Sequence, residues 1–243
     1  MWFDYALWRS DLSLSEFEKT YIQRGRSASK LVAKWRSGTV APTRTSALAL
    51  ERVLPETLWL FDLPLFPLLA DEPIRQRVLS RHTGNLLGES WMGLREWRLP
   101  AGQVDGASIY PMSSTRDLVH RGDIWGLCAL VGTVRWAELE GDLHSQIEAS
   151  QDAFRALPAL LRLPWARTSI RPIFDLLQSV RIRMPYSSVM FDVEWDAIEA
   201  LAAQPSFIVH PQERPRTEHG EPQEYPDPVT TMQFVAAKPQ QTW

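Results

Sequence analysis

Eleven tryptophans are spread through 243 residues, at positions 2, 8, 35, 59, 91, 97, 125, 136, 165, 195 and 243. Indoles lose a large apolar area to water contact unless buried, so they build cores and interfaces. A chain carrying this many must fold into a sizeable packed body, and the length suits one large domain or two compact ones. The intervals are irregular and the flanking residues do not match, which removes a solenoid of tryptophan repeats. Apolar residues make up 44% and charged residues 23%, a globular balance without the polar excess of a disordered chain or the unbroken runs of a membrane protein. The longest apolar stretch, LWLFDLPLFPLLA at 58–70, is interrupted by Asp62, Pro64 and Pro67 and is too short to span a bilayer. It is expected to pack against the rest of the chain.

The formal charge of -3 argues against a surface that coats nucleic acid everywhere. It conceals a strong asymmetry. From residue 19 to residue 52 the basic side chains are Lys19, Arg24, Arg26, Lys30, Lys34, Arg36, Arg44 and Arg52, and the only acid is Glu51, a local excess of +7.

That segment reads as short helices. Leu14, Phe17, Tyr21 and Ile22 recur at helical spacing before a break at Gly25. Ser27 or Ser29 can cap a second helix carrying Leu31, Val32 and Trp35, which Gly38 ends. Pro42 and Thr43 start a third run through Ala47, Leu50, Val53 and Leu54, closed by Pro55. Farther on, Asp71 and Pro73 open a short helix through Ile74 and Val78. LREWRL at 94–99 alternates as a strand would, and residues 117–136 read as one helix weakened by Gly122, Gly126 and Gly132. Leu143, Ile147, Phe154 and Leu157 mark a helix ending at Pro158, and Ile170, Ile173, Leu177 and Val180 mark another. RIRMPYSSVMF at 181–191 reads as extended, followed by an Asp192-capped helix. Six prolines between 205 and 228 preclude a regular helix there, leaving an extended surface arm or disorder, with VTTMQFV at 229–235 as a candidate edge strand.

The ordered set Ser27, Ser29, Leu31, Trp35, Gly38 and Pro42 resembles the recognition-helix end of a Cro/C1-type helix-turn-helix domain, the family of bacterial and phage repressors. The resemblance covers about residues 14–55. Leu31 and Trp35, four apart, share a helix face on which the indole can hold the helix to its neighbours. The resemblance implies that Ala28, Ser29 and Lys30 approach base edges, while Arg24, Arg26, Lys34, Arg36 and Arg44 mainly contact phosphate.

Other chemistry finds little support. His82, His120, His144, His210 and His219 lack metal-ligand spacing, and one cysteine excludes Cys-rich zinc sites. There is no GxxxxGK[ST], GxGxxG or HExxH. Cys128, in the apolar GLCAL, reads as a core thiol in a reducing compartment. A self-cleaving repressor would need a later general-base lysine, and none occurs between Lys34 and Lys238. Arg121, Gly122 and Asp123 read as an exposed helical or turn segment, and acidic pairs such as Glu138 with Glu140 as solvated faces.

The sequence therefore predicts a mainly α fold with a few short strands. It divides into a helix-turn-helix-like region at 1–70, a mostly helical body at 71–204 for dimerisation or an effector role, and a proline-rich arm at 205–243. The expected function is a sequence-specific DNA-binding regulator of bacterial or phage type: cytoplasmic, homodimeric, not an enzyme, with double-stranded DNA as partner and no cofactor, metal or membrane. The alternative is an adaptor of a mobile-element or defence system that meets a protein partner through the C-terminal body.

Overall fold

The computed structural model describes residues 1–22, 31–37, 39–70, 72–84, 86–87, 97–99, 114–184, 191–204 and 229–231. Within them the fold is mainly α. The chain begins with α1 (Trp2–Ser10) and α2 (Leu14–Phe17), which runs into a π-helical turn, Glu18–Ile22. Four short helices follow: α3 (Leu31–Arg36), α4 (Arg44–Glu51), α5 (Leu58–Phe61) and α6 (Leu65–Leu68). The body comprises α7 (Gln76–Thr83), α8 (Thr115–Arg121), α9 (Ile124–Glu140), α10 (Leu143–Leu161), α11 (Arg167–Ile182) and α12 (Trp195–Ala203). Its two strands, β1 (Phe191–Val193) and β2 (Val229–Thr231), pair antiparallel with Phe191 opposite Thr231. The expected return of the chain as an edge strand thus occurs at 229–231, while 205–228 lies outside the described residues.

The organising element is α9, buried almost all round from Ile124 to Ala137. The α10 helix lies along it, α11 and α12 pack on α10, and α6 and α7 pack on α9. The single helix expected over 117–136 is two, because Gly122 takes a left-handed φ of 64° that ends α8, and the Asp123 carboxylate caps α9 by accepting the amide of Gly126. The glycines of α9 are sites of close approach. A Cβ at Gly126 would stand 2.5 Å from the carbonyl oxygen of Leu118, and one at Gly132 would stand 2.4 Å from the indole of Trp97. Trp97 is thereby seated on α9, and its Nε1 donates to Thr133 Oγ1 at 3.1 Å. Trp97 also forms an isolated bridge with Leu87; residues 94–96 of the expected strand lie outside the described residues.

Several boundaries move for physical reasons. The apolar stretch at 58–70 forms α5 and α6, burying Leu60, Leu63, Leu65, Leu68 and Leu69. The run after Pro42 stops at Glu51, leaving Val53 exposed. The helix expected from Asp71 begins at Gln76 and leaves Val78 exposed. Pro158 sits inside α10: it removes one backbone hydrogen bond, yet Ala159 and Leu160 stay buried and the helix runs on to Leu161. Arg181 and Ile182 belong to the end of α11, and Asp192 belongs to β1, so α12 starts after Glu194 without a side-chain cap. Arg121 ends α8 and Asp123 caps α9, within the expected helical or turn segment, but their ion pair at 2.8 Å is largely sheltered.

One buried charge joins the N-terminal segment to the body. Arg135, with no solvent exposure, donates from Nε to the carbonyl oxygen of Leu68 at 2.7 Å and from Nη2 to those of Ala70 and Glu72. Its Nη1 donates to Glu138 at 2.6 Å. The carbonyls left open where α6 ends are therefore satisfied by a side chain of α9. Removing the guanidinium strands three carbonyls, so Arg135→Met is expected to cost about 3–5 kcal/mol of stability in denaturant unfolding followed by tryptophan emission. The exposed Arg162, which donates to the carbonyl oxygen of Ala202, provides the contrast: Arg162→Met is expected to cost less than about 1 kcal/mol.

Candidate nucleic-acid interface

The aromatic residues of α1 fix the position of α3. The Trp35 ring stands 5.9 Å from Trp2 and 6.1 Å from Phe3, both edge-on. Phe3 also meets Phe17 of α2 at 5.6 Å, and Trp2 meets Phe61 of α5 at 5.5 Å. Val32 is fully buried beside this cluster, and Leu31 is half-buried. Trp35 therefore has the anchoring role its spacing implied, with Val32 as the deeper companion.

The opposite side of α3 faces solvent with Ala33, Lys34 and Ser37. The end of the helix is closed locally: Ser37 Oγ donates to the carbonyl oxygen of Lys34, and the Val40 amide reaches the same oxygen at 3.3 Å. Arg36 is exposed too, but it lies about 160° from Lys34 around the helix and lines a cleft shared with Asp4, Asp11 and Trp165. Lys34 and Arg36 thus point to different sides and do not form one positive face. Arg44, in the first turn of α4, is exposed and forms an ion pair with Asp62 at 2.9 Å. Arg24, Arg26, Ala28, Ser29 and Lys30 lie outside the described residues.

Glu51, the one acid of the basic segment, is turned inward. Its carboxylate accepts the amides of Glu56, Thr57 and Leu58 at 2.7–2.8 Å and the Thr57 hydroxyl at 3.0 Å. Partial burial pushes this carboxyl up, and the hydrogen bonds outweigh it, holding the group below its ordinary range. Arg9 of α1 clasps the same turn, donating to the carbonyl oxygen of Pro55 at 3.0 Å and pairing with Glu56. With Glu51 occupied by backbone, Lys34 and Arg52 remain exposed and, among the described residues, have no ion-pair partner.

The thiol of Cys128 is fully buried, and burial pushes it up, so it stays protonated in the core. Among the described residues no three His, Cys, Asp or Glu side chains converge as a metal site, and no helix is long and apolar enough to cross a membrane. Comparison with known proteins gives no relative: no protein-family model, no curated sequence and no solved structure matches the chain.

The inward Glu51 carries a pH dependence of definite sign. A carboxyl held low in the folded state contributes stability that is complete above its unfolded value near 4.5 and is lost as pH falls through the lower folded value. Below about pH 4.5 the turn at 52–58 is expected to loosen, seen as faster amide exchange at Thr57 and Leu58. Glu51→Gln should lower stability at neutral pH by about 1–2 kcal/mol, through loss of charge-assisted bonds, and should flatten that acid response.

Proposed function

We propose that the chain is a sequence-specific DNA-binding regulator that meets double-stranded DNA with the outward side of α3. The observation that carries this reading is the two-sidedness of α3: Val32 and Trp35 are buried, while Ala33, Lys34 and Ser37 are exposed. A helix held on one side by aromatic packing presents its other side in a fixed orientation, as a helix entering a major groove must. The local excess of +7 over residues 19–52, with its one carboxylate engaged by backbone amides, favours a polyanionic partner.

On this reading Lys34 and Arg52 anchor phosphates. Arg44 joins them by exchanging Asp62 for a phosphate oxygen, which costs little because an exposed pair of this kind is worth about 0–1 kcal/mol. Ala28, Ser29 and Lys30 enter as base-edge readers through the helix-turn-helix resemblance alone. Arg36 is left out of this face because it lines the cleft on the other side of α3. A homodimer would set two α3 helices on successive major grooves, about one helical turn of DNA apart. The reading includes a cytoplasmic regulator without catalytic activity. The second reading, an adaptor contacting a protein through the body, draws on Ile182, which is 70% exposed near the end of α11.

Selection of duplex fragments from genomic DNA, followed by affinity measurement over a salt series, tests the proposal. Specific fragments are expected to bind, with log K falling linearly in log salt. Lys34→Ala should weaken binding to all fragments alike and lower the salt slope by about 0.9, as loss of one phosphate contact requires. Unchanged affinity and slope in Lys34→Ala at every salt concentration would remove α3 from the interface.

A further inference from the structure

Where α1, the end of α3 and the turn between α10 and α11 meet, they leave an open cleft of about 500 Å³, within the size range of small-molecule sites. Leu7, Trp8, Pro164 and Trp165 supply its apolar lining. The two indoles are braced by Tyr5, a 2%-exposed ring lying 5.9 Å from Trp8 and 5.2 Å from Trp165. Trp165 is buried, whereas Trp8 keeps 45% of its surface in solvent. An ordered aromatic wall therefore meets water inside a concavity, where an apolar ligand body gains by displacing that water.

The charges around this wall are of both signs, and two of them, Asp11 and Arg36, are not cancelled. The Asp4 carboxylate is engaged, accepting from the Met1 ammonium at 3.0 Å and from the Thr168 hydroxyl at 3.4 Å. Asp11 and Arg36 both line the cleft, yet they do not pair with each other and, among the described residues, form no other ion pair. Asp11 is fixed in place by its backbone, which takes a left-handed φ of 52° at the end of α1 and donates its amide to the carbonyl oxygen of Trp8 at 3.2 Å. A carboxylate at a helix C-terminus sits at the negative end of the helix dipole, a position that favours an incoming cation. Arg36, the last residue of α3, presents a planar guanidinium that suits a carboxylate.

We propose that this cleft binds a small zwitterion with an apolar or aromatic body, of the amino-acid class. Its ammonium sits beside Asp11, its carboxylate meets Arg36, and its body lies against Trp8 and Trp165. The site includes a residue of α3, so an occupant would touch the helix assigned above to DNA, but binding itself does not depend on that assignment.

The test uses the full chain without DNA, in calorimetric titrations with L-phenylalanine and L-leucine. The parallel probes are 2-phenylethylamine, which lacks the carboxylate, and 3-phenylpropanoate, which lacks the ammonium. Saturable binding of at least one amino acid is expected, with a change in tryptophan emission that Trp8→Phe diminishes, Trp165 supplying the remainder. Each truncated analogue, and each of Arg36→Gln and Asp11→Asn, should bind at least about tenfold more weakly, as loss of a charge-assisted bond implies. Melting curves of both variants matching the parent exclude loss of fold as the cause; a variant that melts early is replaced by Arg36→Met or Asp11→Ser. The proposal is overturned if neither amino acid gives a saturable heat at millimolar concentration, if either analogue binds as tightly as its parent, or if a folded substitution at Arg36 or Asp11 leaves affinity unchanged. DNA binding can fail while every one of these titrations succeeds, and the reverse also holds.

Discussion

The structure turns on one guanidinium buried without exposure in the middle of an apolar layer. Arg135 leaves α9 to meet the carbonyls of Leu68, Ala70 and Glu72 and the carboxylate of Glu138. Burying a charge is costly unless its hydrogen bonds are met, and here the acceptors are backbone groups that the end of α6 would otherwise leave open. The same residue thus meets two demands at once: it gives α6 a terminus and the N-terminal segment a fixed seat on α9. Apolar contacts alone tolerate sliding, whereas a planar fork engaged by three carbonyls sets register and angle.

Around that attachment aromatic rings form two sets, both of which draw on α1. Tyr5 bridges Trp8, Trp59 and Trp165, and Trp59 stacks on Trp125 of α9 at 5.6 Å. On the other side of α1, Trp2 and Phe3 reach Trp35. α1 therefore lies between the body and α3, and its two faces carry the load in both directions. This arrangement holds a six-residue helix that could not persist alone and leaves its outer side available. It also places the Arg36 end of α3 against a cleft walled by Trp8 and Trp165, so the proposed DNA-facing and ligand-facing sides belong to one small helix.

Much of the helical layout is legible in the sequence because local signals agree with packing. The spacing of Ile170, Ile173, Leu177 and Val180 marks the buried face of α11, and Thr43 caps α4 through the Ser46 amide as its position suggests. Failures occur where tertiary contacts reverse the meaning of a residue. Gly126 and Gly132 read as helix weakness but are required by Leu118 and Trp97, and Pro158 reads as a terminus but packing carries the helix past it. Arg135 leaves a readable trace, being the one charged residue between Ile124 and Ala137; a lone arginine in an apolar helix points to a buried partner. The cleft leaves none, because Asp11 and Arg36 meet Pro164 and Trp165 only once the chain has folded. The divergence of Lys34 and Arg36 follows from their spacing of two on a helix, but the basic run does not disclose that Glu51 faces its own backbone.

On the proposed function, α3, held by Val32 and Trp35 on one side, offers the other to DNA. Hydrogen–deuterium exchange of the full chain, with and without a saturating specific duplex, examines it directly. Exchange is expected to slow across α3 and the start of α4 when DNA is bound, with the amides of α10 and α11 away from any interface unchanged. A bound duplex that protects only the body and leaves α3 exchanging at its free rate would place the interface elsewhere.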